Sequence, residues 1–429
     1  MRDDSKFGAV TTAATAETHA AIREVWRFEA PRLIATLTRL VRDVGIAEEL
    51  AQDALVAALE SWPVSGLPAK PAAGLVTTAK RRALNVLGHN KVAGRKHELL
   101  AQEQELPDLA SELEARLDDD VGDDLLRLMF ISCHPVLSPE GRVALTLRLL
   151  GGLTTEEIAR AFLAAESTIA QRIVRAKRTL ADAKVPFEVP RGAERAERLA
   201  SVLEVIYLVF NEGYAASAGD DAVRPALCDD ALRLGRVLAG LAPEEPEVHG
   251  LVALMELHVS RAGARRGPSG EHVLLLEQDR TRWDIGAIRR GLDALARAEA
   301  LGGSGQYVLQ ARISACHARA TRAEGTAWGE IASIYAELVA LTRSPVAELN
   351  RAMAVAMAEG PAAGLAILDA IAGEPSLATY PWLPSARADL LAKLGRNAEA
   401  KAAYERAAEL TRNTRDRALL LERAAALLA

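Results

Sequence analysis

The sequence has few aromatic residues, few cysteines and no long apolar run. Aromatic residues make up 4% of the 429 positions, and Cys133, Cys228 and Cys316 are widely spaced. They form no C-x-x-C pair, so we expect neither a disulfide framework nor a cysteine metal site, as in a reducing cytoplasm. No apolar stretch reaches the roughly 18 residues of a membrane span. The N-terminus, "MRDDSKFGAV", lacks the basic-then-apolar layout of a signal peptide. These absences exclude membrane-spanning and exported classes and predict a cytoplasmic protein.

Alanine, leucine, arginine and glutamate dominate the composition, and half of the residues are apolar. These residue types favour helices, and no run of alternating strand residues occurs. The sequence therefore predicts an all-α fold. Its length allows about two to four domains.

Charge is sorted along the chain, although the net charge is only −6. Residues 61–97 contain seven Lys or Arg and no acid, whereas residues 98–124 contain eleven acids and one base. A second basic group follows at residues 172–178. Two basic segments joined by an acidic one indicate two contacts with one polyanion. The alternative is a set of solvated helix faces.

Stretches that contain Pro, Gly and polar residues divide the chain into six segments. We expect a disordered N-terminus, a first helical domain, an acidic linker, a second helical domain, a helical extension domain and terminal helical repeats. Their predicted ranges are 1–16, 17–100, 101–124, 125–185, 187–290 and 291–429. In the last segment Gly360 and Gly395 lie 35 positions apart. This spacing is close to the roughly 34-residue tetratricopeptide period, although plain helical hairpins also use such glycine turns.

Residues 154–180, "TTEEIARAFLAAESTIAQRIVRAKRTL", have the pattern of a helix-turn-helix. Thr154 is a suitable N-cap, with acidic residues in the first turn behind it. The second helix is predicted to begin at Ser167 or Thr168, with Ile169, Ile173 and Val174 facing inward and Leu163 in the turn. Amphipathic helix pairs without DNA-binding function often imitate this pattern.

The outward positions of the second helix suit DNA. In such motifs the N-terminal part of the second helix meets base edges in the major groove. Glutamine can bind adenine and arginine can bind guanine, whereas further cations contact phosphates. The candidate DNA-binding residues of this segment are Ser167, Thr168, Gln171, Arg172, Arg175, Lys177 and Arg178.

The order and spacing of these motifs across residues 17–185 resemble the sigma-70 family of RNA polymerase specificity subunits, in its extracytoplasmic-function type. "DVGIAEELAQDALVAALESW" is similar to region 2.2, which docks on the β′ clamp helices of the polymerase core. The resemblance assigns that docking to Glu48, Glu49, Gln52 and Asp53. "PAAGLVTTAKRRALNVLGHNKVAGRK" is similar to regions 2.3 and 2.4, which open and read the −10 promoter element. The matching positions are Lys80, Arg81, Arg82, Asn85, Arg95 and Lys96.

Residues 154–180 are similar to region 4.2, which reads the −35 element. The resemblance implies promoter DNA and the polymerase core, through its β′ clamp helices and β flap, as partners. It implies no cofactor, no metal and no catalysis.

The C-terminal half extends this resemblance. "YLVFNEGYAASAGD" and "LLLEQDRTRWD" are similar to the extracytoplasmic-function subgroup called group 42, which carries a long tetratricopeptide-like extension. In that subgroup the extension is thought to control activity. A concave repeat surface suits a protein or peptide ligand.

Carboxylates of the extension admit two interpretations. Glu212, Asp220, Asp221, Glu277, Asp279 and Asp284 could belong to a hydrolase or metal site, yet no nucleophile–base pattern or ligand spacing accompanies them. We therefore favour helix caps, turns and ion pairs around Trp283. The remaining alternative for the whole chain is a helix-turn-helix regulator with a helical sensor domain that is not a polymerase subunit.

Overall fold

The computed structural model describes residues 5–95, 121–162, 164–214, 225–265, 267, 273–411 and 414–427. All regular elements in these ranges are helices, which confirms the predicted all-α fold. The chain forms two compact units, Met1–Val209 and Phe210–Ala429. No helix of the described residues is long and apolar enough to cross a membrane.

The first unit is built from helices of very different length. They are α1 (Ser5–Val41), α2 (Val44–Ser65), α3 (Pro71–Arg95), α4 (Val121–Ser132), α5 (Pro139–Leu149), α6 (Thr155–Ala161), α7 (Glu166–Asp182) and α8 (Gly192–Tyr214). Helix α1 packs against α2, α3 and α4, and α5 packs against α7. Leu37, Leu128 and Leu145 are fully buried in this packing.

One predicted boundary at the N-terminal end differs from the structure. Helix α1 begins at Ser5, inside the segment 1–16 predicted to be disordered. Its first turns are rich in alanine, the residue with the highest helix propensity. Proline in a helix interior usually ends the helix, yet α2 runs through Pro63 to Ser65. The break before α2 is set by Asp43, whose side chain accepts a 2.9 Å hydrogen bond from the Ile46 amide.

The helical groups α1–α3 and α4–α7 pack against each other, whereas the sequence suggested two domains on a tether. Arg39 of α1 lies 2.8 Å from the fully buried Asp124 of α4, and Arg127 lies 2.7 Å from the same carboxylate. Asp124 was assigned to the acidic linker 101–124; residues 101–120 lie outside the described ranges. Gly152 has φ +69°, and a Cβ there would come within 3.2 Å of the Arg27 backbone. These contacts require a charge and a glycine at particular positions, so the pairing of the groups is specific.

The second unit begins within α8 and continues with ten further helices in the described ranges. They are α9 (Pro225–Leu241), α10 (Pro246–Val259), α11 (Ile285–Ala300), α12 (Gln306–Arg319), α13 (Trp328–Thr342), α14 (Pro345–Glu359), α15 (Pro361–Ala370), α16 (Trp382–Lys393), α17 (Asn397–Leu410) and α18 (Thr414–Ala426). Helix α10 is central, because it packs against α9, α11 and α12. A Cβ at Gly250 would lie 2.7 Å from the Val308 nitrogen, so α10 and α12 approach closely.

The last helices form consecutive hairpins, and Gly360 and Gly395 lie in their turns with φ +103° and +75°. Such left-handed backbone favours glycine. Each hairpin buries its own apolar residues against the next, as Leu349, Leu368 and Leu390 do in one cluster. The assignment of these hairpins to the tetratricopeptide class stays a prediction.

Candidate nucleic-acid interface

The helix-turn-helix of residues 154–180 begins with a capping box. The Thr154 hydroxyl accepts a 3.1 Å hydrogen bond from the Glu157 amide, and the Thr154 amide donates to the Glu157 carboxylate at 2.7 Å. Both donors at the start of α6 are thereby satisfied, as the predicted N-cap requires. The predicted cap at Thr154 is confirmed.

Helix α7 presents one apolar face to the core. Ile169, Ile173, Ala176 and Leu180 are buried at spacings of four, three and four residues. The prediction that Val174 faces inward is wrong: its side chain is 65% exposed, because position 174 follows Ile173 by only one residue, about 100° around the helix. The helix begins at Glu166, with Ala165 as its N-cap, rather than at Ser167 or Thr168. Leu163 lies outside the described residues.

Four of the predicted base readers share a surface groove of about 350 Å³. Thr168, Gln171, Arg172 and Arg175 line one wall, and the other is lined by Val136, Leu137, Ser138, Glu140 and Gly141. The second wall includes the N-terminus of α5, where the Ser138 hydroxyl accepts a hydrogen bond from the Gly141 amide. A helix N-terminus carries partial positive charge, so it adds to the two arginines in favouring an anion, whereas the Glu140 carboxylate on the same wall opposes one. Ser167, the residue before Thr168 in the sequence, is exposed.

The two cations predicted to contact phosphate differ in their surroundings. Arg178 is 82% exposed and lies 3.5 Å from Asp182 on the same helix. Lys177 is 23% exposed and forms an ion pair with Glu48 of α2. In this conformation Lys177 is therefore engaged in the protein interior rather than with solvent.

Glu48 was predicted to dock on the polymerase core, but the structure places its side chain in the protein interior. Its carboxylate is 3% exposed and binds Arg148 of α5 at 2.6 Å, together with Lys177 and the Gln52 amide. A buried carboxylate of this kind requires cationic partners. Glu48 thus holds α2 against α5 and α7, and it can reach another protein only after these helices separate.

The other docking candidates lie on the exposed side of α2. Glu49 and Asp53 are exposed, and Gln52 is partly buried. Asp53 lies 2.8 Å from Arg82 of α3, one of the residues predicted to bind the −10 element. Two acidic docking candidates are therefore paired with two basic DNA-binding candidates, Glu48 with Lys177 and Asp53 with Arg82.

The remaining −10 candidates lie on α3. Lys80 is partly buried, and Arg81 and Asn85 are exposed. Arg95 is the last residue of α3, and Lys96 lies outside the described residues.

Sequence reasoning missed Arg148. The sequence contains a signal for it, because Arg148 is the one charged residue of the apolar stretch "VALTLRLLGGL". A cation in such a stretch indicates a buried partner of opposite charge. Its partner lies 100 residues earlier, which no local pattern indicates.

Two carboxylates of the extension, Asp279 and Asp284, act as helix caps, in line with the interpretation from the sequence. Asp279 accepts hydrogen bonds from the Thr281 amide and hydroxyl, and Asp284 accepts one from the Ala287 amide. Asp220 and Asp221 lie outside the described residues. Within the described ranges no group of three or more His, Cys, Asp or Glu is placed to hold a metal ion.

The three cysteines are buried and free. Burial raises the pKa of Cys133 to about 11, that of Cys228 to about 12 and that of Cys316 to about 11. A thiol with so high a pKa is a poor nucleophile at neutral pH.

Comparison with known proteins identifies the class. Residues 127–180, which include the second half of α4, all of α5 and α6 and all but the last two residues of α7, match sigma-70 region 4. Residues 198–299 match a family of unknown function, DUF6596. Residues 127–180 thus form a sigma-70 region 4 domain, which supports a DNA-binding, sigma-factor-like role. An uncharacterized protein of Rhizobium meliloti (strain 1021) is 43% identical over 393 residues, which cover 91% of this chain and 92% of that protein. The chain belongs to the same family as that protein.

Proposed function

We propose that the chain is a promoter-specificity subunit of bacterial RNA polymerase, of the extracytoplasmic-function type with a tetratricopeptide-like extension. Helices α1–α3 bind the polymerase core and the −10 element, and α4–α7 bind the −35 element and the β flap. Neither contact makes or breaks a covalent bond, so the protein acts by binding and not as an enzyme.

The observation that carries this proposal is the groove along α7. Gln171, Arg172 and Arg175 line it together, within residues that match sigma-70 region 4. Their amide and guanidinium groups are those that bind adenine and guanine in the major groove. The buried stripe of α7 holds these side chains in place by packing against α5.

The pairs Glu48–Lys177 and Asp53–Arg82 support a free state that is not ready for transcription. Each pair neutralises a DNA-binding candidate with a docking candidate. Engagement of polymerase and promoter would exchange these internal partners for external ones. Neutralised cations also bind DNA phosphates less strongly, so the free protein would have low non-specific affinity.

One observation favours the alternative of a DNA-binding regulator that is not a polymerase subunit. Glu48 is buried, so a surface that a polymerase subunit would need is partly occupied. The exposed Glu49 distinguishes the two functions, because only docking on polymerase requires it.

The test is transcription from candidate promoters with purified core polymerase. We expect promoter-specific initiation, and loss of core binding in Glu49→Lys but not in Glu60→Lys, a control at an exposed position of the same helix. Gln171→Ala should weaken promoter binding by about 1–3 kcal/mol if Gln171 makes a bidentate base contact. DNA binding that survives in Glu49→Lys, without any initiation by the unmodified protein, would establish the regulator instead.

We also propose that the extension controls initiation activity. A truncated chain tests this only if the cut leaves the contacts of the first unit intact. The start of α8 belongs to the first unit: the Ser201 hydroxyl donates to the Cys133 carbonyl at 2.6 Å, and Arg142 lies 2.9 Å from Glu204. A chain ended near Pro186, at the boundary predicted from sequence, would lose these contacts. A chain ended at Val209 keeps them, and we expect its initiation activity to differ sharply from that of the full chain. Equal activity would mean that the extension is an independent module.

A further inference from the structure

The second unit contains a cluster of three arginines around two aromatic rings. The Arg265 guanidinium lies 4.0 Å from the centre of the Tyr214 ring, and Arg261 Nε donates to the Tyr214 hydroxyl at 3.1 Å. The Arg280 guanidinium lies 4.8 Å from the centre of the Trp283 ring. All three arginines are partly buried. Stacking on aromatic rings fixes these guanidinium groups in place. Hydrogen bonds add to this, because Arg280 donates to the His317 and Ala320 carbonyls and to the Thr326 hydroxyl. Arg265 also donates to the Tyr214 carbonyl.

The positive charge of this cluster is not balanced. Within the described ranges, none of Arg261, Arg265 and Arg280 forms an ion pair with an acidic residue. Burial lowers the pKa of Arg265 and of Arg280, and the charge of Arg261 lowers both further. The exposed Glu324 offsets this only in part, at Arg280. Partly buried like charges repel one another, and an anion between them would relieve that repulsion.

Two histidines complete the cluster without adding a negative charge. The His258 ring stacks on Tyr214, with 5.1 Å between ring centres, and the His317 ring lies edge-on to Trp328 at 5.3 Å. Burial lowers the pKa of His258 and brings that of His317 to about 4, and the neighbouring arginines lower both. Both rings are therefore neutral at pH 7, and each has one donor nitrogen and one acceptor nitrogen.

Several buried nitrogen atoms of the cluster have no hydrogen-bond partner within the described part of the chain. They are Arg280 Nε, Trp283 Nε1, His258 Nδ1 and His317 Nδ1. Trp283 is only 5% exposed and His317 only 8%. Buried polar groups are nearly always hydrogen-bonded in folded proteins, so these nitrogens indicate a partner that the described residues do not supply.

We propose that this cluster binds a small phosphate-bearing anion. Guanidinium forks match the oxygens of phosphate, and a phosphate dianion balances more of the triple positive charge than a single carboxylate does. Tyr214, Arg261, Arg265 and Arg280 lie within the residues that match the family of unknown function. The ligand would join α8, the segment after α10, the 3₁₀ turn Arg280–Arg282 and α12. This proposal is independent of the proposed function, because it concerns a site outside the DNA-binding motif.

The test is calorimetric titration of the full chain with inorganic phosphate, a sugar phosphate and a nucleoside monophosphate, without DNA or polymerase. Ionic strength is held constant with chloride. We expect saturable one-to-one binding of at least one probe. Affinity should be about tenfold lower in Arg261→Gln, which removes one charged fork. It should be unchanged in Arg406→Gln, a control at an exposed arginine of α17. Comparison of the three probes then shows whether the free ion or an organic phosphate is the ligand.

Two results would overturn the proposal. One is the absence of saturable binding by any phosphate probe at millimolar concentration. The other is equal affinity in Arg261→Gln and the unmodified protein. If Arg261→Gln does not fold, Arg261→Lys replaces it, since it keeps the charge and loses the fork; undiminished affinity there contradicts fork recognition. Tighter binding of citrate than of every phosphate would assign the site to carboxylates instead.

Discussion

Each unit contains a buried carboxylate that is held by cations, and the second unit also contains a cluster of cations without an acidic ion-pair partner in the described ranges. In the first unit Glu48 is 3% exposed and is held by Arg148 and Lys177. In the second unit Glu256 is 1% exposed and is held by Arg236 and Arg290, so this unit also contains a balanced site. The arginine–histidine cluster of the second unit has three cations and no acidic ion-pair partner in the described ranges. The comparison separates charges that hold helices together from charges that await a partner.

A balanced buried site and an unbalanced one should respond differently to the loss of a charge. Removing the carboxylate from a balanced site leaves two cations without a counter-charge, which is costly where they are mostly buried, as Arg148 and Lys177 are beside Glu48. Removing one cation from the arginine–histidine cluster reduces repulsion.

The largest effect is expected at the balanced sites. Glu48→Gln should lower the free energy of unfolding of the first unit by about 3–5 kcal/mol, because the mostly buried cations Arg148 and Lys177 lose their partner. Glu256→Gln should cost less in the second unit, because Arg236 and Arg290 are 47% and 52% exposed and stay solvated. Urea denaturation combined with hydrogen exchange by helix measures the loss. In Glu48→Gln, exchange should increase at the contact between α2 and α7.

The control for Glu48 is Asp53→Asn, which breaks the exposed pair with Arg82. That change should cost less than about 1 kcal/mol, as is usual for a surface ion pair. A similar cost for Glu48→Gln and Asp53→Asn would show that Glu48 is solvated, contrary to the structure.

An effect of intermediate size on stability is expected when the pH is lowered. Burial lowers the pKa of His317 to about 4 from its ordinary value of 6.5, so between these values the unfolded chain binds a proton that the folded chain does not. Stability is then complete above pH 6.5 and falls as the pH drops towards 4, by on the order of 2–3 kcal/mol for this histidine. His317→Asn should flatten the dependence measured by denaturation at each pH. An unchanged slope would mean that His317 is not buried in its neutral form.

The smallest effect is expected at Arg261. Arg261→Gln loses one hydrogen bond to Tyr214 and relieves repulsion among the arginines, so the free energy of unfolding should change by no more than about 1 kcal/mol. Arg236→Gln, beside the buried Glu256, should cost more. If the order were reversed in denaturation experiments, the arginine cluster would be a structural site rather than a binding site.

Local patterns predicted the helix-turn-helix well. The cap at Thr154 and the buried positions Ile169 and Ile173 follow from residue type and helical spacing. Val174 was misplaced because an apolar residue next to a buried one need not share its face. The apolar pattern also predicted the all-α fold, since helical periodicity is a property of consecutive residues.

Contacts between distant residues could not be predicted. Glu48 and Lys177 were each assigned to an external partner, and in the structure they bind each other. Nothing in either segment indicates the other, because a charged residue on an amphipathic helix suits solvent, DNA and a buried counter-charge equally well. The domain boundary predicted near Pro186 separates residues that are in contact, for a similar reason. Ser201 and Glu204 lie beyond this boundary and contact the first unit.

The helical class, the helix-turn-helix and the sorting of charge follow from the amino-acid order, because each depends on residues near one another in the chain. Which charges are internal depends on the tertiary structure. It pairs Glu48 with Lys177 and gathers Arg261, Arg265 and Arg280 without an acidic ion-pair partner in the described ranges. The physical reason is that a charge's role depends on its burial and on its neighbours in space, and packing between distant segments sets both.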